Sequence, residues 1–392
     1  MIANNDWQRP LPIINLKKSN KTEHEPDDQE TINIAFDELS HKEHRYSYTI
    51  THCEADWTPS KELIESDYVD GFASGNNIDN CEQSINTNTQ YTHYSLTIPN
   101  ERCYPKISGN YTLTVYDEDQ DNTPLLKVCF MITEQTMKST MSYTSNTDFD
   151  VNKSHQQINI DLNFNSTRVN YPESQIKTVV LQNGRWYNAV RNAIPQFVKS
   201  DGMVWSHNRM LIFSGGNEYH KFETLDPTHT TMGVERVSWD GKQYNAWVVR
   251  DEPRINYIYD EDANGSFLIR NSDNIGNDTE CDYILTHFTL KAPKLSGSIY
   301  LNGSWTQDCF DDKYMMKWNK NDGLYEAAVP LKQGYYNYQY LTRNADGNIS
   351  TLPSEGNFYQ TENSYQLLVY YRGQGERTDR LVNYLNLSCH QP

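Results

Sequence analysis

Two short stretches carry acidic residues at alternate positions, the spacing a calcium-binding loop uses. In DEDANG (260–265), Asp260, Asp262, Asn264 and Gly265 fill the first, third, fifth and sixth places of such a loop, but the twelfth is Asn271, where a bidentate Glu is needed. A hairpin turn fits better, because Asn264 and Gly265 accept positive φ, strand-like INYIYD comes before and SFLIR comes after. DEDQDN (117–122), with Asp117, Asp119 and Asp121, reads likewise as a solvated turn between strands. His52, Cys53, Asp56 and His93 could supply a nucleophile with its base, or metal ligands. Neighbours on a strand point to opposite faces, however, so His52 and Cys53 do not share a site. No GxSxG, HExxH or glycine-rich phosphate loop accompanies them. The residues therefore point to no catalytic group, no metal site and no cofactor. In GGNEYHKF the pair Gly215 and Gly216 could hold a ligand by backbone, but paired glycines before a strand more simply make a sharp turn or bulge.

Aromatic rings offer a different chemistry. LKQGYYNYQY (331–340) is crowded with tyrosine and could be either a platform for sugar rings or one strand of a filled core. Strand alternation places Tyr336, Tyr338 and Tyr340 on one face, read as inward, and Tyr335, Asn337 and Gln339 on the other, read as outward.

The elements that would position these residues are strands. Period-two alternation recurs in TINIAFDEL (31–39), YSYTITHC (46–53), THYSLTIP (92–99), NYTLTVYD (110–117), QINIDLNF (157–164) and YNAWVVRD (244–251), and the helical period almost never persists. One short helix is expected in TPSKELIESDYV, with Thr58 capping and Pro59 in its first turn. The reading is all-β: tandem immunoglobulin-like, early-set β-sandwich domains with few short helices. At 392 residues the chain exceeds one core, and breaks in the pattern divide it into 1–136, 137–280 and 281–392, the Asn- and Asp-rich RNSDNIGNDTEC marking the second break.

A net charge of −18 repels phosphate backbones and anionic lipid, which argues against nucleic acid as partner. No run of apolar residues is long enough for a membrane-spanning helix, so direct membrane insertion is not expected. MIANNDWQRPLPII lacks the basic and apolar regions of a signal peptide, leaving a cytosolic chain or one from which the signal has been removed. The seven cysteines, at 53, 81, 103, 129, 281, 309 and 389, show no zinc spacing; a bridge such as Cys53 to Cys129 and buried free thiols are both open.

From SGSIYLNGSW to NYQYL the order strand, Trp305 loop, NDG turn, strand, Gly turn, strand resembles the early-set sandwich of glycogen- and starch-binding modules. That resemblance implies stacking of glucose rings on exposed aromatics, for which Trp305, Trp318 and Tyr335 are the candidates. A wider resemblance covers nearly the whole chain. HCEADW, the SxNTxxxYTHYSLxxPN run from Ser84 to Asn100, QNGRW, NEYHKFET, LKQGYYNYQY and YYRxxGxRxDRL from Tyr370 to Leu381 follow one another as in the type IX secretion system plug protein family. The resemblance implies a secreted, non-enzymatic, periplasmic protein associated with the outer membrane after signal-peptide removal. Its implied partner is the outer-membrane β-barrel translocon of the type IX secretion system, whose pore it occludes as a monomer. The charge-dense end of the last motif, Arg372, Arg377, Asp379 and Arg380, is the candidate partner-binding site, with internal pairing of Asp379 to a neighbouring arginine as the competing reading. In HCEADW and QNGRW, Trp57 and Trp186 read as core, and Asp56 and Arg185 as buried or capping partners.

Overall fold

The computed structural model describes residues 11–16, 30–273 and 278–389; positions 1–10 and 274–277, which include the start of the chain and part of the expected break, lie outside them. Apart from short 3₁₀ turns, the helices described are Glu65–Tyr68 and Pro172–Gln175, four residues each. The longer helix expected from Thr58 is absent because Asp56 captures both the backbone N–H and the hydroxyl of Thr58, and Ser60 N–H bonds to His52 O. Those local bonds hold the segment against a strand edge instead of releasing it to coil.

Three sheet-and-core units follow. In the first, a five-stranded sheet ordered Ile13–Asn15, Thr123–Thr133, Gly109–Asp117, Tyr46–Cys53, Asn76–Asn77 faces a three-stranded sheet of Ile32–Glu38, Thr92–Ile98 and Asn80–Gln83. Alternate residues, among them Tyr48, Ile50, Leu113 and Phe130 from one sheet and Ile34, Phe36 and Tyr94 from the other, fill the space between. The second unit packs Lys138–Thr144, His155–Asn163, Gly202–Trp205 and Phe197–Val198 over a sheet ordered Arg185–Arg191, Ile176–Gln182, Ser364–Tyr371, Arg380–Ser388. The third is one hydrogen-bonded sheet of ten strands that folds over a core rich in rings, including Phe222, Phe288, Trp305, Tyr336 and Tyr338.

The expected break near 136 falls in the connection between Thr123–Thr133 and Lys138–Thr144. The break at 280/281 is corrected by strand pairing, which crosses it in both directions. His220–Thr224 and Phe267–Ile269 pair with Gly334–Arg343, while Ile176–Gln182 pairs with Ser364–Tyr371. The third sheet is thus inserted between two halves of the second unit, and local periodicity carries no record of partners so far apart in sequence.

Ser364–Tyr371 runs through the middle of the molecule, and all eight of its residues are buried. Tyr365, Leu367, Val369 and Tyr371 fill the second core. Leu368 and Tyr370, on the opposite face, pack with Leu11, Ile13, Ala55 and Met131 of the first unit. A strand buried on both faces reads as a nearly continuous apolar run, as QLLVYY does.

Candidate functional site

The sequence motifs that looked like chemistry converge on the junctions between the three units. At the first junction, Asp379 is 1% exposed, and its carboxylate accepts from Lys177 Nζ at 2.7 Å, Arg372 Nε at 3.0 Å and the Ala55 N–H at 3.1 Å. Glu54, next to Ala55 in HCEADW, pairs with Arg372 and accepts the Asp379 N–H at 2.9 Å. Burial alone would raise the Asp379 carboxyl; the Lys177 ammonium, the Ala55 N–H and Arg372 outweigh it and hold the group below the usual carboxylate range. Arg380 spans Glu134 at 3.2 Å and Glu376 at 2.7 Å, and Arg377 reaches Asp67 at 2.9 Å. The four residues considered for contact with a partner are therefore engaged inside the chain, tying the C-terminal motif to the first unit, and only Arg377 remains half exposed.

Beneath them His52 Nδ1 lies 2.8 Å from Ser60 Oγ, which is 3.0 Å from Thr378 Oγ1, while Cys53 turns the other way toward Thr112. The His52–Ser60 pair has the spacing of a base and nucleophile, but both residues and Thr378 are buried, so the pair serves as another tie across the junction. Trp57 and Trp186 meet edge to face at 5.4 Å beside it. Asp379→Asn is expected to lower stability by about 2 kcal/mol in urea denaturation at pH 7, because one charge-assisted set is lost while Lys177 still reaches water. A carboxyl held low in the folded state contributes above about pH 4 and loses that contribution as pH falls through its folded pKa, so the difference between the two proteins vanishes in acid.

A second junction joins the first unit to the third. Asp37 accepts from Lys332 Nζ at 2.8 Å and Tyr283 OH at 2.6 Å, with His93 Nδ1 at 2.6 Å. Lys332 Nζ also stands 4.2 Å over the Tyr91 ring, whose hydroxyl donates to Cys281 O at 2.8 Å. Asp282 accepts the N–H groups of Asn88 at 2.8 Å and Thr89 at 3.0 Å. Asn88, Thr89, Tyr91 and His93 all belong to the Ser84–Asn100 motif, which gives that motif its physical role.

QNGRW ties two strands of the second unit to each other, through Ser364 and Gln366, and reaches the third unit through Asp308. Asn183 accepts the Ser364 N–H at 2.7 Å, Gly184 N–H donates to Gln366 at 2.7 Å, and Trp186 N–H donates to Asp308 at 3.2 Å. A cavity of about 410 Å³ remains where the three units meet, lined in part by Lys127, Trp186, Gly265 and Asp308.

Tyr336, Tyr338 and Tyr340 are fully buried, as alternation predicts. The opposite face is corrected: Asn337 and Gln339 are buried too, Asn337 accepting the Ala263 N–H at 2.5 Å and Gln339 donating to Asn302 at 2.9 Å. Loops from other parts of the chain cover that side, which one strand's pattern does not reveal. Trp305 lies in the core with its indole N–H on Asn337 O at 2.8 Å, so it offers no ring to a glucan. Trp318 packs on Tyr325 at 4.8 Å, and Tyr335 accepts from Asn337 at 2.8 Å beside Asp262; the three rings form no common platform.

Asn264 and Gly265 have φ of 50° and 88°, making the turn expected of DEDANG, but INYIYD pairs with nothing and is not a strand. Asp117 caps a 3₁₀ turn and Asp121 has positive φ, again a turn. Among the described residues His44, Asp117 and Asp119 have ligand atoms within 4.8 Å of one another, with Asp119 also bonded to the Arg45 N–H. All seven cysteines are free. Cys53 and Cys129 sit on strands either side of Gly109–Asp117, roughly 10 Å apart at two strand spacings, beyond the reach of a disulfide. The residues at the second junction that sequence reasoning missed, Asp37, Tyr283 and Lys332, lie singly in strands, and a lone lysine at the end of an alternating strand was the one available signal.

Comparison with known proteins agrees with this arrangement. Residues 2–134 match the family model for the type 9 secretion system plug protein 1st domain. A crystal structure of a hypothetical protein from Parabacteroides merdae ATCC 43184 is similar over 96% of this chain and 93% of that one, at 39% identity and a TM-score of 0.91. The collagen adhesin of S. aureus is similar at 8% identity over 91% of this chain and 86% of that one, with a TM-score of 0.13, from which nothing follows. No curated protein matches. With its first unit matched by the family model and each of the quoted motifs in place, the chain belongs to the type IX secretion system plug protein family.

Proposed function

We propose that the protein acts in the periplasm as a rigid stopper: it docks on the periplasmic end of the large outer-membrane β-barrel translocon of the type IX secretion system and blocks the pore. Family membership ties the chain to type IX secretion, and the family is suggestive of a non-enzymatic component. The observation that carries the finer reading is the double fastening of the matched first unit. It is held to the second by Asp379 and Glu54 and to the third by Asp37 and Lys332. A plug must resist being pushed aside, and a unit fixed at two separated, buried points moves only with the whole chain. The barrel contact would draw its affinity from a few anchors on a preformed surface rather than from area alone. A tagged copy isolated from native membranes in mild detergent should bring the barrel with it. Recovery of the tagged protein without the barrel, from cells that express both, would sink this reading.

A further inference from the structure

The segment Glu252–Glu261 has the residue types of a strand, in INYIYD, yet it has no partner strand. No backbone N–H or C=O from Ile255 to Asp260 makes a hydrogen bond within the described chain. Ile255 is 83% exposed, Ile258 78% and Tyr259 56%. An unpaired run of backbone with β-branched and aromatic side chains facing water is a template for an incoming strand.

The segment is held in place from both ends. On one side Asp251 accepts the hydroxyls of Tyr338 at 2.8 Å and Tyr340 at 2.6 Å and lies 2.8 Å from His220, while the Arg254 N–H bonds to Ser354 O at 2.8 Å. On the other, Lys221 binds Asp260 at 2.5 Å and Glu261 O at 2.6 Å, and Asp262 accepts the N–H groups of Tyr219 and Asn264. Between them the Tyr257 hydroxyl is pinned to Glu218 at 2.6 Å, and a single bend falls at Asn256. Much of the ordering cost of pairing is thereby met before any partner arrives.

Charge selects the partner. Glu252 is neutralised by Arg250 at 2.8 Å and Lys291 at 3.0 Å, and Lys221 and Arg254 face inward to their own acids. Glu261, at the end of the segment, is exposed, and its carboxylate meets no cation among the described residues. We propose that Ile255–Asp260 is a strand-addition site for a segment of another protein that has a β-branched centre and lysine or arginine beside it. A second copy of this chain fits less well, since it carries a net charge of −18 and the same acids. The inference is independent of pore closure and survives if that reading fails.

The test titrates the full chain with the labelled peptide Lys-Lys-Thr-Val-Thr-Ile-Thr-Val-Lys-Lys by fluorescence anisotropy. Its twins are a charge-reversed peptide with glutamate flanks and a peptide N-methylated at alternate residues, which cannot pair as a strand. The lysine peptide should bind, and both twins should bind at least about 10-fold more weakly. Ile258→Pro, at an exposed position whose N–H is unbonded, should weaken binding by a similar factor while leaving the melting temperature unchanged; Glu261→Lys should weaken it through charge alone. No binding of the lysine peptide overturns the proposal. Equal binding of the N-methylated peptide, or unchanged binding by Ile258→Pro, reduces the effect to charge attraction and overturns it as well. Concentration-dependent dimerisation abolished by Ile258→Pro would assign the edge to a second copy and overturn the stated partner.

Discussion

Lys332→Met is expected to destabilise the protein by about 3–5 kcal/mol, the cost of stranding one member of a buried ion pair. The side chains of Lys332 and Asp37 are only 3% and 7% exposed. Burial pushes the Asp37 carboxyl up, but the hydrogen bond with His93, the Lys332 ammonium and Tyr283 outweigh it and keep the group charged. Without the ammonium, Asp37 must take up a proton or stay charged in a poor solvent, and Tyr91 loses the cation above its ring. Because the pair joins the first unit to the third, the loss should appear in urea as an early transition that releases the first unit ahead of the rest. Pairing Lys332→Met with Asp37→Leu should recover a good part of the loss, since two apolar groups leave no orphaned charge. A single unshifted transition in Lys332→Met would show that this junction does not hold the units together.

The second large effect is a loss of stability in alkali centred on His220. Burial favours neutral imidazole, but Glu355 and Asp251, at 2.9 and 2.8 Å, outweigh it and raise the group to about 9. A histidine raised on folding contributes fully below its unfolded pKa of about 6.5, and the contribution drains away as pH rises through about 9. The span corresponds to about 3 kcal/mol, as an order of magnitude. Thermal unfolding at pH 6 and pH 9.5 measures it. Burial also pushes the thiols of Cys103, Cys281 and Cys389 up to about 12, which adds a separate alkaline loss above about pH 8.5. The difference between the wild type and His220→Gln isolates the histidine: it should be large at pH 6 and nearly gone at pH 9.5. A difference that stays constant with pH would mean that His220 is not charged in the folded state.

What the sequence made legible was whatever one strand encodes by itself. Tyr336, Tyr338 and Tyr340 were placed correctly because period two is a local property, and the all-β class followed from the same signal. Asn337 and Gln339 were misplaced because what covers them comes from Ala263 and Asn302, distant in the chain. The same limit explains the break drawn at 280/281, since Val180 finds its partner at Leu367. HCEADW, QNGRW and the Tyr370–Leu381 motif stood out as specific without disclosing what they do. Their partners, such as Lys177, Ser364 and Asp308, sit singly in unremarked stretches. INYIYD was read as a strand on good grounds; the structure leaves it ready for a strand but without one.

A stiff, doubly fastened body that closes the pore should stop current through it, and conductance reads that closure. The purified translocon barrel, free of other subunits, is placed in a planar bilayer, and the full chain is added to its periplasmic side. A stable drop in open-pore current is expected, weaker with Lys332→Met, whose first unit is less firmly held to the third. An open current unchanged at saturating protein would show that the chain does not close the pore.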